Sequence, residues 1–214
     1  MTILFPLAFW TAGTVVAKDA QQENQVCWVK LLFTTTISTG EDWVAEDAPL
    51  SGSTKRNGEG DFVEEYDARK AIDNYSEVGF DDSSWQNVYV LGEHPTDPFT
   101  NVQSELGHVT EETVQPETIT TLEDGTTIVD FGRVIPARFS VNFANGKAGQ
   151  KLTLITGYEL KDDGKVNTSG SSSQNTNMNF IYTQKDGAQT YNTWDHLAFR
   201  YLQIPNVGQT FTKD

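Results

Sequence analysis

Cysteine is almost missing from this chain. Cys27 is the single one in 214 residues, so no disulfide closes within the chain, and a lone thiol without a positioned base is a weak nucleophile. It reads as a small apolar residue. Positive charge is scarce too, with 15 Lys and Arg against 30 Asp and Glu and a formal net charge of -15. Such a field repels a phosphate backbone or an anionic lipid surface, which excludes nucleic acid and membrane as partners. The histidines, His94, His108 and His196, are too scattered to form a metal motif. No Gly-x-Gly-x-x-Gly or other phosphate-cradling loop occurs, and no cofactor is implied.

Long apolar runs are lacking as well. The stretch from Ile3 to Ala17 is too short and interrupted for a membrane span. It reads either as a secretory leader cut after Ala17, although a basic start is missing, or as an element left over from a larger domain. In a secreted chain, Asn74-Tyr75-Ser76 and Asn167-Thr168-Ser169 are acceptor triplets for N-glycosylation at Asn74 and Asn167.

Aromatic residues are plentiful: five Trp, seven Tyr and twelve Phe. Together with few helical patterns they predict an all-β fold, because such side chains suit a half-buried pleated surface. Residues 117–131 place two Thr/Ile-rich runs around Glu123-Asp124-Gly125, the pattern of a hairpin. Residues 137–143 then alternate, with Phe139, Val141 and Phe143 on one face and Arg138, Ser140 and Asn142 on the other. Further strands are expected in KLTLITGYEL, FIYTQ and LAFRYLQI, separated by acidic Gly turns at the spacing of a sandwich or barrel. Residues 167–179 are nearly all polar and read as a long exposed loop. Pro95 and Pro98 break regular structure at 92–100, and a domain boundary is expected between 95 and 112.

Three local patterns carry possible chemistry. Asp130-Phe131-Gly132 spells the metal-holding tripeptide of protein kinases, yet the strand Lys, Gly-rich loop and His-Arg-Asp loop that such a site needs are absent. It is expected to be architectural, with Gly132 permitting a bulge and Asp130 accepting from a nearby backbone amide. The acidic clusters Glu64, Glu65, Asp67 and Asp81, Asp82 read as solvated surface charge. Asp162-Asp163-Gly164 lacks the periodic loop of a calcium site. Trp43, Tyr75, Trp85 and Trp194 are available to stack on a sugar ring, though core anchoring is the expected role.

Six segments occur in an order that resembles the bacterial-type α-L-rhamnosidases. TTTISTGEDWVA (34–45), EEYDARK (64–70) and VGFDDSSWQNV (78–88) resemble the end of the N-terminal β-domain of that family. IVDFGRV (128–134), AGQKLTLITGYELKDDGKV (148–166) and WDHLAFRYLQI (194–204) resemble successive landmarks of the concanavalin-like β-sandwich that follows. The landmark residues are Tyr66, Asp67, Arg69, Phe80, Asp81, Asp82, Trp85, Asp130, Phe131 and Gly132. Two departures stand out: 133–138 read Arg-Val-Ile-Pro-Ala-Arg in place of the family's Gln-Asn continuation, and Tyr75 replaces a usual Trp. Pro136 cannot donate to a ladder, so its strand is expected to be an edge or bulged there.

The resemblance implies a truncated N-terminal β-domain, residues 33–100, followed by a concanavalin-like antiparallel β-sandwich, residues 109–214, with 1–32 as leader or remnant. In this family, inverting hydrolysis of terminal α-L-rhamnose takes place in an (α/α)6 barrel that comes later. The chain is therefore expected to carry no catalytic residue and to partner that barrel as an extracellular accessory region, with rhamnosylated carbohydrate in reach. The alternative is a stand-alone, lectin-like carbohydrate-binding protein.

Overall fold

The structure is a computed structural model and describes residues 30–32, 36–38, 40–52, 54–58, 61–90, 92 and 110–213. The leader-like run, Cys27, His94, His108 and the Pro95–Pro98 junction lie outside the described residues.

The strands in chain order are β1 (Lys30–Leu32), β2 (Thr36–Ser38), β3 (Val44–Ala45), β4 (Leu50–Ser51), β5 (Glu65–Asp67) and β6 (Gln86–Asn87). They continue with β7 (Thr118–Thr121), β8 (Thr127–Ala137), β9 (Ser140–Gly146), β10 (Lys151–Gly157), β11 (Asn179–Thr183), β12 (Gly187–Asn192) and β13 (Leu197–Ile204). A 3-10 turn over Ala68–Lys70 and one helix, α1 (Gly170–Ser173), complete the described elements. The fold is all-β.

These elements fall into two compact units. In the first, formed by described residues up to 48 and from 72 to 111, β1 pairs with β2 and β3 with β6, both antiparallel. The rings of Phe80 and Trp85 meet edge to face at 5.7 Å, an arrangement that aligns a positive ring edge with a negative face.

The second unit, residues 49–71 with 112–213, is the sandwich. One layer is a seven-stranded sheet in the order β4-β5-β11-β10-β13-β8-β7, and β9 pairs with β12 in a two-stranded sheet. All neighbours are antiparallel except β5, which runs parallel to β11 with Tyr66 opposite Tyr182. A parallel neighbour must arrive through a long connection, and here the partner comes from far upstream: residues 49–71 supply two strands of a sheet built otherwise from residues after 117.

Alternation sets the core. Phe139, Val141 and Phe143 are buried while Arg138, Ser140 and Asn142 face solvent, as the period-two pattern requires. Leu152 and Leu154 of β10, Phe180 and Tyr182 of β11 and Phe199 and Leu202 of β13 supply the facing surface. Its centre is aromatic, with Tyr182 stacked on Tyr191 at 4.3 Å and on Phe143 at 5.6 Å, and Phe139 edge-on to Phe180 at 4.9 Å.

The expected hairpin is present. Thr118 to Thr121 pair with Asp130 to Thr127, and Gly125 takes φ +83° in the turn, a left-handed value costly for other residues. The side chain of Asp124 accepts from Thr126 N at 2.9 Å, and Lys165 Nζ sits 2.6 Å from its carboxylate. The expected irregularity near Pro136 is also present. β7 covers only residues 127–130 of β8, so among the described residues no strand pairs with Pro136 on that side, where a residue without an N–H is tolerated. The pairing of β8 with β13 slips between Phe199 and Tyr201, whose partners are Ile135 and Asp130. Residues 131–134 thus bulge opposite Arg200.

The polar stretch 167–179 differs from a fully exposed loop. α1 forms within it, Ser173 and Met178 are buried, and Asn177 N donates to Arg56 O at 2.6 Å. Backbone groups that leave a ladder still need partners when covered, and the connection before β5 provides them.

Candidate functional site

The densest buried polar chemistry among the described residues lies where the β4–β5 connection meets the β12–β13 turn. Arg56 is held on the first by its own N–H, which donates to Asp61 O at 2.7 Å. Its side chain is 2% exposed, a placement that a guanidinium tolerates only with bonded partners. Nη1 donates to the carbonyls of Asn177 and Asn179 at 2.7 and 3.1 Å, and Nη2 donates to Asp195 Oδ2 at 3.0 Å. The guanidinium carbon lies 4.9 Å from the centre of the Phe180 ring, so a cation–π contact adds to the set.

Glu64, one residue before β5, is buried at 7% exposure. This corrects the expectation that its acidic cluster is solvated throughout. Oε1 accepts from the Tyr191 hydroxyl at 2.7 Å, and Oε2 accepts from the backbone N–H of Trp194 and of Asp195 at 2.9 and 2.7 Å. Burial raises its pKa above the ordinary 4.5 and outweighs these donors, which favour the charged form. Burial and the adjacent carboxylate raise the Tyr191 phenol as well. Glu64 therefore pins the β12–β13 turn to β5, and both its oxygens are occupied. Local sequence did not separate it from its half-buried neighbour Glu65, because its partners Tyr191, Trp194 and Asp195 come from more than 120 residues away.

Beside this cluster opens a cleft of about 350 Å3 lined by Arg56, Asp61, Phe62, Asp195, His196 and Leu197. Glu64 is not part of its lining. Among the described residues no group of three or more His, Cys, Asp or Glu is placed to hold a metal ion.

The sequence landmarks are distributed as follows. Tyr66 stacks on Tyr182 at 5.8 Å. Asp67 caps the 3-10 turn by accepting from Arg69 N at 3.1 Å and holds the Arg69 side chain through Nε and Nη2 at 2.9 and 2.8 Å. The guanidinium bond first, and the amide bond after it, lower its pKa. The Tyr-Asp-Ala-Arg motif is thus a strand end closed by its own cap. In the other unit Asp81 accepts from Ser83 N at 3.1 Å in a turn, and Trp85 N donates to Asp82 O at 3.0 Å. Asn74 lies exposed in that unit with φ +61°, whereas the Asn167 amide donates to Ser172 Oγ at 2.9 Å.

Asp130, Phe131 and Gly132 behave as expected of an architectural bulge. Gly132 has φ +76°, and a Cβ there would run into the Glu117 carboxylate. Gly132 N donates to Asp130 Oδ1 at 2.6 Å, and Phe131 meets Phe199 edge to face at 5.8 Å. What the sequence did not reveal is Arg200, whose Nε and Nη2 fork onto Asp130 at 2.8 and 2.9 Å and lower its pKa. Of the candidate stacking aromatics, Trp43 and Trp85 are half-buried. Tyr75 and Trp194 are 54% and 57% exposed, which corrects the expectation that all four anchor cores.

Comparison with known proteins agrees with this architecture. Residues 32–117 match the family model of the α-L-rhamnosidase N-terminal domain, and residues 120–214 match that of the bacterial α-L-rhamnosidase concanavalin-like domain. The first segment contains β4 and β5, so the family boundary and the sheet boundary do not coincide. No curated protein matches the chain. Among solved structures, the α-L-rhamnosidase from Dictyoglumus thermophilum is similar with a TM-score of 0.65 and 24% identity over 84% of this chain and 20% of that one. The enzyme from Aspergillus terreus gives 0.60 and 18% over 84% and 20%. The Streptomyces avermitilis enzyme, solved with L-rhamnose, gives 0.58 and 24% over 80% and 16%. The chain thus spans about a fifth of the length of these structures. Through these two domains the chain belongs to the bacterial α-L-rhamnosidase family.

Proposed function

We propose that the chain is the non-catalytic β-sandwich region of an α-L-rhamnosidase, which supports the helical barrel where terminal α-L-rhamnose is hydrolysed and shapes access to it. The observation that carries this reading is the adjoining pair of family domains, N-terminal then concanavalin-like, over residues 32–214. The chemistry of the acidic cluster supports it. Inverting hydrolysis needs two carboxyl groups about 6.5–9.5 Å apart on either side of a sugar, one of them protonated. Among the described residues Glu64 is the carboxyl group with a burial-raised pKa, yet its oxygens are engaged by Tyr191, Trp194 and Asp195 and it lies outside the cleft lining. A carboxyl group so enclosed positions a turn and has no oxygen to offer a glycosidic bond.

The test is an incubation of the purified chain with an aryl α-L-rhamnoside. Product release at the rate of a protein-free blank is the expected result. Turnover that disappears in Glu64→Gln or Asp195→Asn would overturn the proposal.

A further inference from the structure

The cleft beside Arg56 has no part in that reading. We propose that it is a binding site for a neutral saccharide, one or two rings in size, which makes the sandwich a carbohydrate-contacting module as well as a support. Its volume, about 350 Å3, falls at the small end of ligand pockets, roughly 300–1,000 Å3.

The lining has the mixture that sugars need. Asp61 and Asp195 offer carboxylate acceptors, His196 a ring nitrogen, and Phe62 and Leu197 apolar surface for the C–H face of a ring. The acceptors are also pre-organised. Asp195, still 45% exposed, is held through Oδ2 by the buried Arg56, and Asp61 accepts from Asn57 Nδ2 at 3.1 Å. Positions fixed before binding reduce the entropy lost on binding.

Charge decides against other ligand classes. Two carboxylates face one guanidinium in the lining, so a phosphate or a uronate meets net repulsion. A cationic ligand would have to compete with Arg56 for Asp195, whereas hydroxyl groups add donors without displacing that pair. Trp194, next in sequence to Asp195, is 57% exposed and offers aromatic surface on the same turn.

The test is a two-dimensional amide NMR titration of the whole chain with methyl glycosides, methyl α-L-rhamnoside first, alongside n-butylamine and inorganic phosphate. Saturable shifts confined to residues around 56–62 and 195–197 with at least one neutral glycoside are expected. Asp61→Asn and His196→Ala change exposed residues, so the fold is retained and is checked by spectral dispersion. Each should weaken that affinity at least about fivefold, the loss of one hydrogen bond, whereas Glu123→Gln in the β7–β8 turn should leave it unchanged. No saturable response to any glycoside, shifts elsewhere, equal affinity in the variants, or tighter binding of the amine or phosphate would overturn the proposal. The result does not depend on hydrolysis, so it can fail while the accessory role stands.

Discussion

Replacing Glu64 separates the two effects that act on it. In Glu64→Ala the Tyr191 hydroxyl and the amides of Trp194 and Asp195 lose their acceptor together. An orphaned buried donor costs about 1–3 kcal/mol, but the two amides sit at a turn where water can take over in part. A net loss of about 3 kcal/mol follows, and with about 3–5 °C per kcal/mol for a unit of this size the melting temperature should fall by roughly 10–15 °C. In Glu64→Gln the amide oxygen can take the place of Oε2 and receive both backbone donors, while its NH2 donates to the Tyr191 oxygen. That change should cost no more than about 1 kcal/mol.

The pH dependence gives the decisive sign. Glu64 has a folded pKa above 4.5, so its protonation stabilises the folded state fully below the unfolded value and this contribution disappears as pH rises through the folded value. The melting temperature of the wild type minus that of Glu64→Gln, followed by circular dichroism from acid to neutral pH, should therefore decrease with rising pH. All other carboxylates are shared by both proteins and cancel. A difference that grows with pH would refute the reasoning, because it would mean that the three donors outweigh burial.

The Asp130 bulge offers two further tests. Asp130→Ala removes the Arg200 fork and the Gly132 amide acceptor and should lower stability by about 1–3 kcal/mol, with non-additivity in a double-mutant cycle with Arg200→Ala. A loss of divalent-ion binding without a change in melting temperature would contradict the architectural role. Gly132→Ala places a Cβ at φ +76° against Glu117 and should cost at least about 1 kcal/mol. An unchanged denaturation midpoint would count against it. On the acid side, Asp124, Asp67 and Asp130 have lowered pKa values, that of Asp124 falling to about 2. Their contributions are present above the ordinary 3.8 and are lost as pH falls through the folded values, so Asp124→Asn should show a shallower acid transition than the wild type.

Much of the fold is written in local pattern. Alternation of apolar and polar residues placed Phe139, Val141 and Phe143 inside, Gly125 beside acidic residues marked a hairpin, and Gly132 with Asp130 marked a bulge, because each depends on a few neighbouring residues. The order of short motifs also carried the family resemblance. What neighbours could not determine were the partners brought from a distance. Glu64 reads as one carboxylate among several until β5 lies parallel to β11, and no local pattern singles out Arg56, which Asn177, Asn179 and Asp195 surround only in the fold. Arg200 likewise finds Asp130 only across the slipped β8–β13 register. Turn chemistry and periodicity act over a few residues and were legible in the sequence, whereas burial of a charge depends on chain segments more than a hundred residues apart, and the tertiary structure alone decided it.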